Sequence, residues 1–142
     1  MFKHMEAKDI SASFEDATRQ YLVGQLKRPQ VLAHFDADNI EIGLTSYVEY
    51  TIEAPHYHTT ACEYCYIISG ETKYIDLDMG KEICYGTGDF YKIEQNTKYA
   101  QKSAANTLLL FIKVPPGNDK EALPPTSKLL KWFEDWSANY KC

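Results

Sequence analysis

From residue 39 to residue 114 the sequence is a series of short apolar alternations, each ended by turn residues. Ile40, Ile42 and Leu44 alternate with Glu41 and Gly43, and residues 47–52 continue in that style. Residues 64–68 are apolar and aromatic, Ser69-Gly70 turns the chain, and 72–77 alternates again. Met79-Gly80, Gly86-Thr87-Gly88-Asp89 and residues 94–97 supply further turns, separating strands over 82–85, 90–93, 98–103 and 108–114. Period-two alternation puts one side of a strand inside and the other outside. Evenly spaced short strands joined by Gly, Asn and Asp specify an all-β sandwich or barrel. Eleven tyrosines against seven glycines favour the same strand-rich packing.

The flanks read differently. Residues 11–24 carry a helical signature, with Ser13 and Asp16 as a capping pair, Phe14, Ala17, Tyr21 and Leu22 on one face, and Gly24 as the stop. An extended lead-in opens at Pro29 and runs through 31–35. Pro115-Pro116-Gly117 ends the β region, and Leu123-Pro124-Pro125 is a stiff connector. A second helix is expected over 127–140, capped by Thr126 or Ser127, with Leu129, Trp132, Phe133, Trp136 and Tyr140 at helical spacing. Its aromatic face is expected to pack on the outside of the barrel or on a second subunit. The 142 residues suit one domain with its barrel core over about 31–114.

Charge narrows the partners. The net charge is −5 and the pI about 5.3, with no basic stripe, so nucleic acid is not an expected ligand. No stretch approaches the roughly 18 apolar residues of a membrane span, and the first ten residues do not read as a signal peptide. The expected location is the cytoplasm. There Cys62, Cys65, Cys84 and Cys142 are expected as thiols, and Cys62-x-x-Cys65 as ordinary strand cysteines, since residues three apart on a strand face opposite ways.

The chemistry concentrates at His56-Tyr57-His58 and Glu63. Histidines two apart on a strand share a face, and a turn over 59–62 would bring Glu63 back beside them. Two imidazoles and one carboxylate suit a divalent metal that keeps positions open for a ligand. Gly86-Thr87-Gly88 is a turn and not a phosphate loop, because no Lys-Ser/Thr pair follows it into a helix. Lys92, Lys98 and Lys102 either line a pocket for an acidic ligand or alternate outward into solvent.

The spacing His56-x-His58-x4-Glu63-x6-Gly70 resembles the first motif of the cupin superfamily, G-x5-H-x-H-x3–4-E-x6-G, with Tyr50 where the leading glycine would stand. The second motif, G-x5-P-x-G-x2-H-x3-N, is followed only in register. Gly88 fits its start, while Glu94, Asn96, Tyr99 and Ser103 stand at the proline, the second glycine, the histidine and the asparagine. Asn at 96 is a mild change, because Asn tolerates a left-handed turn. The resemblance covers about residues 40–114. It implies a double-stranded β-helix, a jelly-roll-like barrel, with a divalent metal (Fe, Zn, Mn or Ni) held inside by His56, His58 and Glu63. In the family the second-motif histidine is usually the fourth ligand, and here Tyr99 replaces it. A phenol, with its ordinary pKa near about 10, suits hydrogen bonding to a metal-bound water or proton donation better than ligation as phenolate. The resemblance also implies a homodimer, since small cupins often pair.

The reading is therefore a small cupin that takes a small polar metabolite as its ligand. Whether it is an enzyme stays open. A metal-dependent isomerase or lyase and a non-haem dioxygenase compete, with Tyr99 as a proton donor favouring the first, and the alternative is a non-catalytic, metal-free binding or regulatory cupin.

Overall fold

The computed structural model describes residues 1–140, so Cys142 lies outside the described residues. Its elements, in order, are α1 (Ala7–Ser13), β1 (Arg19–Val23), β2 (Glu41–Tyr47), β3 (Thr51–His58), β4 (Cys62–Ser69), β5 (Glu71–Asp76), β6 (Lys81–Gly86), β7 (Phe90–Ile93), β8 (Tyr99–Ser103), β9 (Thr107–Val114), β10 (Lys120–Ala122) and α2 (Ser127–Phe133). The all-β expectation holds. The strands form two five-stranded antiparallel sheets, β1-β2-β9-β4-β7 and β10-β3-β8-β5-β6, and every crossing between them is made by a short turn or loop. Strands that alternate along the chain between two sheets must close them face to face, and the shared inner faces make the core. Tyr47, Cys65, Ile67, Tyr74, Tyr91, Tyr99, Leu109 and Phe111 fill it. No helix among the described residues is long and apolar enough to cross a membrane.

Turn chemistry sits where the sequence places it. Gly70 joins β4 to β5 at φ +88°, and a Cβ there would lie 2.6 Å from the Thr107 backbone, so both conformation and space require glycine. Asn96, at the position of the second-motif glycine, takes φ +63°, the left-handed conformation expected of it.

Four boundaries differ from expectation. The helix read over 11–24 is instead α1, ending at Ser13, followed by strand β1. Ser13 is no N-cap: its hydroxyl donates to the Ile10 carbonyl at 2.6 Å and closes the helix end. The run Arg19-Gln-Tyr-Leu-Val pairs antiparallel with β2, and Tyr21 meets Phe111 edge-on at 5.6 Å. Sheet pairing outweighs a helical spacing assembled from few apolar residues. The sheets consequently extend beyond 31–114, from β1 to β10. Finally, residues 47–52 are not one strand, because the chain turns at 48–50 between β2 and β3.

The C-terminal helix also stops early, at Phe133 and not at residue 140. Thr126 caps it as expected, its hydroxyl accepting from the Leu129 amide at 3.2 Å. Leu129, Trp132 and Phe133 pack on Ile75 and Ala100, on the outer face of β5 and β8. The helix ends because its carbonyls turn toward one cation. Lys102 is fully buried, and its ammonium donates to the carbonyls of Trp132, Asp135 and Ala138 at 2.8, 2.9 and 2.9 Å. Three carbonyls from seven consecutive residues cannot converge on one donor and also continue an α-helical ladder. Lys102 therefore neither lines the pocket nor reaches solvent; it anchors the C-terminal segment to the sheet.

Lys102→Met should lower the unfolding free energy by about 2–4 kcal/mol, because it leaves buried carbonyls unpaired. Urea denaturation followed by tryptophan fluorescence checks this, and a change within about 0.5 kcal/mol would show the carbonyls finding other donors.

Candidate functional site

The sheets enclose a cavity of about 1010 Å3, walled by Arg19, Glu53, His56, His58, Glu63 and Tyr99 among others. The four side chains singled out in the sequence meet there. His56 and His58 lie two apart on β3, and the turn at 59–61 reverses the chain so that Glu63, on β4, returns beside them. His58 Nε2 is 3.3 Å from Glu63 Oε1. His56 stands opposite Tyr99 in the β3–β8 register, and its Nε2 is 3.0 Å from the Tyr99 hydroxyl.

Both imidazoles are oriented from behind. His56 Nδ1 lies 2.8 Å from the Ala54 carbonyl, and His58 Nδ1 lies 2.8 Å from Asp119 Oδ1. A carbonyl and a carboxylate only accept, so each Nδ1 carries a proton. His56, with one proton on Nδ1, presents a lone pair on Nε2 and accepts from Tyr99. Nε2 of His58 faces a carboxylate oxygen, and two such acceptors attract only with a proton or a cation between them.

Burial sets the protonation of this group. It holds His56 below its usual value, with Lys120 pushing the same way. It pushes the Glu63 carboxyl up against the pull of His58, and it pushes the Tyr99 phenol well above its usual range, helped by Glu63 and Glu53. Tyr99 is thus kept as a phenol, able to donate and unsuited to ligate as phenolate.

A profile of the family described as the cupin domain matches residues 46–115. The chain belongs to the cupin superfamily. Solved structures agree on the fold. BH2720 from Bacillus halodurans superposes with a TM-score of 0.58 at 12% identity, over 81% of this chain and 83% of that one. KdgF from a Halomonas species gives 0.54 at 14%, over 71% and 80%, and the polyketide cyclase RemF from Streptomyces resistomycificus gives 0.53 at 14%, over 64% and 65%. At such identities the likeness is one of fold. No curated protein matches the chain.

In this cupin the donor chemistry fits a divalent ion. One imidazole lone pair is turned into the cavity, and a second faces a carboxylate across a gap that calls for positive charge. The arrangement is nevertheless closed by hydrogen bonds, and among the described residues no three His, Cys, Asp or Glu side chains form a ready cage. Cys65 faces the cavity as a buried thiol, Cys62 lies three residues back on the same strand, and both are free. His34 stays outside the cavity, 3.9 Å from Asp36. Lys92 is on the outer surface over the Tyr64 ring.

Other residues of the site, Glu53 and Asp119 chief among them, are not marked by spacing in the sequence. Glu53 is three residues before His56, so a regular strand would turn them to opposite faces. The β3–β8 register slips by one residue between Glu53 and His56, and this bulge, which holds Pro55, brings both inside. Glu53 accepts from Arg19 at 3.2 Å. Asp119 lies beyond the β region, on the loop after β9. Besides His58 it accepts from the Thr60 and Ala61 amides at 3.0 and 2.8 Å, the Thr60 hydroxyl at 3.1 Å and Lys113 at 3.0 Å. Burial opposes ionisation, but the donors from Ala61, His58, Thr60 and Lys113 win and hold the Asp119 carboxyl well below the usual carboxylate range.

A carboxyl depressed in the folded state contributes stability above its unfolded value of about 3.9, and that stability is lost as pH falls through the folded value. Asp119→Asn should therefore lower stability at neutral pH by about 2–4 kcal/mol and flatten the acid limb below about pH 4. Denaturation midpoints measured across pH check both, and an acid limb as steep as the parent's would contradict the assignment.

Proposed function

We propose that this cupin binds a small polar metabolite in its interior cavity, beside a divalent ion held by His56, His58 and Glu63. The observation that carries the reading is the set of nitrogen and oxygen donors on one wall of the cavity, faced by a phenol that burial keeps protonated. The ion would polarise a carbonyl or carboxylate of the ligand. The remaining roles fall to this chain's own groups. Tyr99 donates a hydrogen bond or a proton to the ligand oxygen. Glu53, inside the same cavity, is the available base. Arg19, always charged, suits an anionic group on the ligand. Proton movement next to a carbonyl is isomerase or lyase chemistry, and these groups favour it over a dioxygenase, for which no donor would be needed.

One observation favours a second reading. The Tyr99 hydroxyl already occupies the His56 lone pair, and Tyr99 stands where the family's fourth ligand usually is. This supports a metal-free cupin that binds its ligand without turning it over.

Elemental analysis of protein purified without an affinity metal separates the two. The first reading expects near-stoichiometric iron, zinc, manganese or nickel, lost in the His56→Ala/His58→Ala double variant. Tyr99→Phe should keep the metal and lower turnover of the substrate by about 10²-fold or more. A wild-type protein that stays empty after incubation with these ions would leave only the metal-free reading.

A further inference from the structure

The strand order leaves β6 and β7 as edge strands, one at the end of each sheet. Side chains from both line a second cavity, of about 330 Å3. A close-packed interior leaves few voids larger than a water molecule, and this volume lies within the range of small-molecule sites. Its walls are aromatic: Tyr74 from β5, Tyr85 from β6, Tyr91 from β7 and Tyr99 from β8. Tyr85 and Tyr91 are stacked, with centroids 3.9 Å apart. Tyr74 stands at 67°, 68° and 62° to Tyr85, Tyr91 and Tyr99. Rings set so steeply to one another offer π-faces in more than one direction. Tyr74 and Tyr99 also wall the large cavity, so the two chambers share a partition.

We propose that this second cavity binds a small organic cation, an alkylated or quaternary ammonium. The negative faces of several tyrosine rings around one space attract a cation and disfavour an anion. The charges agree. Of the charged residues that line the cavity, Asp76 and Glu94 are acids and Lys92 is the base. Lys92 alternates outward from the buried Tyr91, where its ammonium lies over the Tyr64 ring and 3.8 Å from Glu94. The chain's net charge of −5 adds to the attraction. The hydrogen bonding narrows the class further. The Tyr74 and Tyr91 hydroxyls bond to each other, and that of Tyr99 bonds to His56. Asp76 already accepts from the Asp78 and Met79 amides, both at 3.1 Å. A primary ammonium brings three N–H donors that need acceptors, and here most acceptors are engaged. A quaternary ammonium brings none and asks only for ring surface and negative charge. The site is independent of any metal and of the ligand of the large cavity.

NMR titration of the uniformly nitrogen-15-labelled full chain with choline chloride, against sodium chloride of equal ionic strength, tests this. Saturable amide shifts are expected along β6 and β7, at Ile83, Tyr85, Tyr91 and Ile93, and not at Lys27 and Arg28 of the large cavity. The neutral compound of the same shape, 3,3-dimethylbutan-1-ol, should bind the wild-type protein about 10-fold more weakly or worse. That comparison needs no variant. Tyr85→Leu should weaken choline about 3-fold or more, whereas Tyr85→Phe, which keeps the ring, should not. Asp76→Asn, which keeps an acceptor for the turn amides and removes the charge, should weaken it too. The absence of saturable shifts below about 100 mM choline overturns the proposal. So do equal binding of the neutral compound, shifts confined to the large cavity, or undiminished binding by a folded Tyr85→Leu variant.

Discussion

The site is held together by one carboxylate. Asp119 binds the β3–β4 turn through two amides and a hydroxyl, strand β9 through Lys113, and His58 directly. These groups come from parts of the chain some 60 residues apart. A buried carboxylate with this many donors is stable only with all of them in place, since each lost donor returns part of the desolvation cost. The loop after β9, the turn that returns Glu63 and the ring orientation of His58 are therefore one unit. Strand β10 follows directly from Asp119 and pairs with β3, with Lys120 opposite His58, so the same contact also begins the last strand of its sheet.

A second constraint acts on β3. The bulge before His56 turns Glu53 inward, and it places the Ala54 carbonyl where it fixes the His56 ring. One inserted residue thus supplies both a further acid in the cavity and the tautomer of the neighbouring base. On the opposite strand, Tyr99 meets His56 by simple cross-strand pairing, and its long, rigid ring lets it serve core and cavity together. It packs edge-on against Tyr74 at 5.5 Å while its hydroxyl reaches the imidazole.

Much of this was legible in the sequence, and for identifiable reasons. Most strand and turn positions between residues 39 and 114 follow from local periodicity, and the convergence of His56, His58 and Glu63 from fixed spacing, while Tyr99 was placed by the register of the second cupin motif. What was not legible depends on non-local events. Residues 19–23 become a strand because β2 offers an edge. Lys102, in an alternating strand, looks like a surface lysine until three carbonyls of a distant segment close over it. Glu53 is disguised by a bulge that no period announces, although Pro55 inside a strand is a hint of irregularity. Asp119 is one acid among twenty, and only the path of the loop makes it the partner of His58. The outward leucines of β9 were visible as an apolar run, but which of them face out is known only once the sheet has formed.

The central claim is that the fold presents both imidazoles to the cavity through Nε2, with Nδ1 protonated and held from behind. Nitrogen-15 NMR of the side chains at neutral pH, before and after addition of Zn2+, tests it directly. The account predicts a neutral His56 with its proton on Nδ1, and a Zn2+-induced shift of the Nε2 resonances of His56 and His58 while both Nδ1 atoms stay protonated. A proton on His56 Nε2, or a zinc response at Nδ1, would contradict it, and a response at neither ring would leave the metal-free reading.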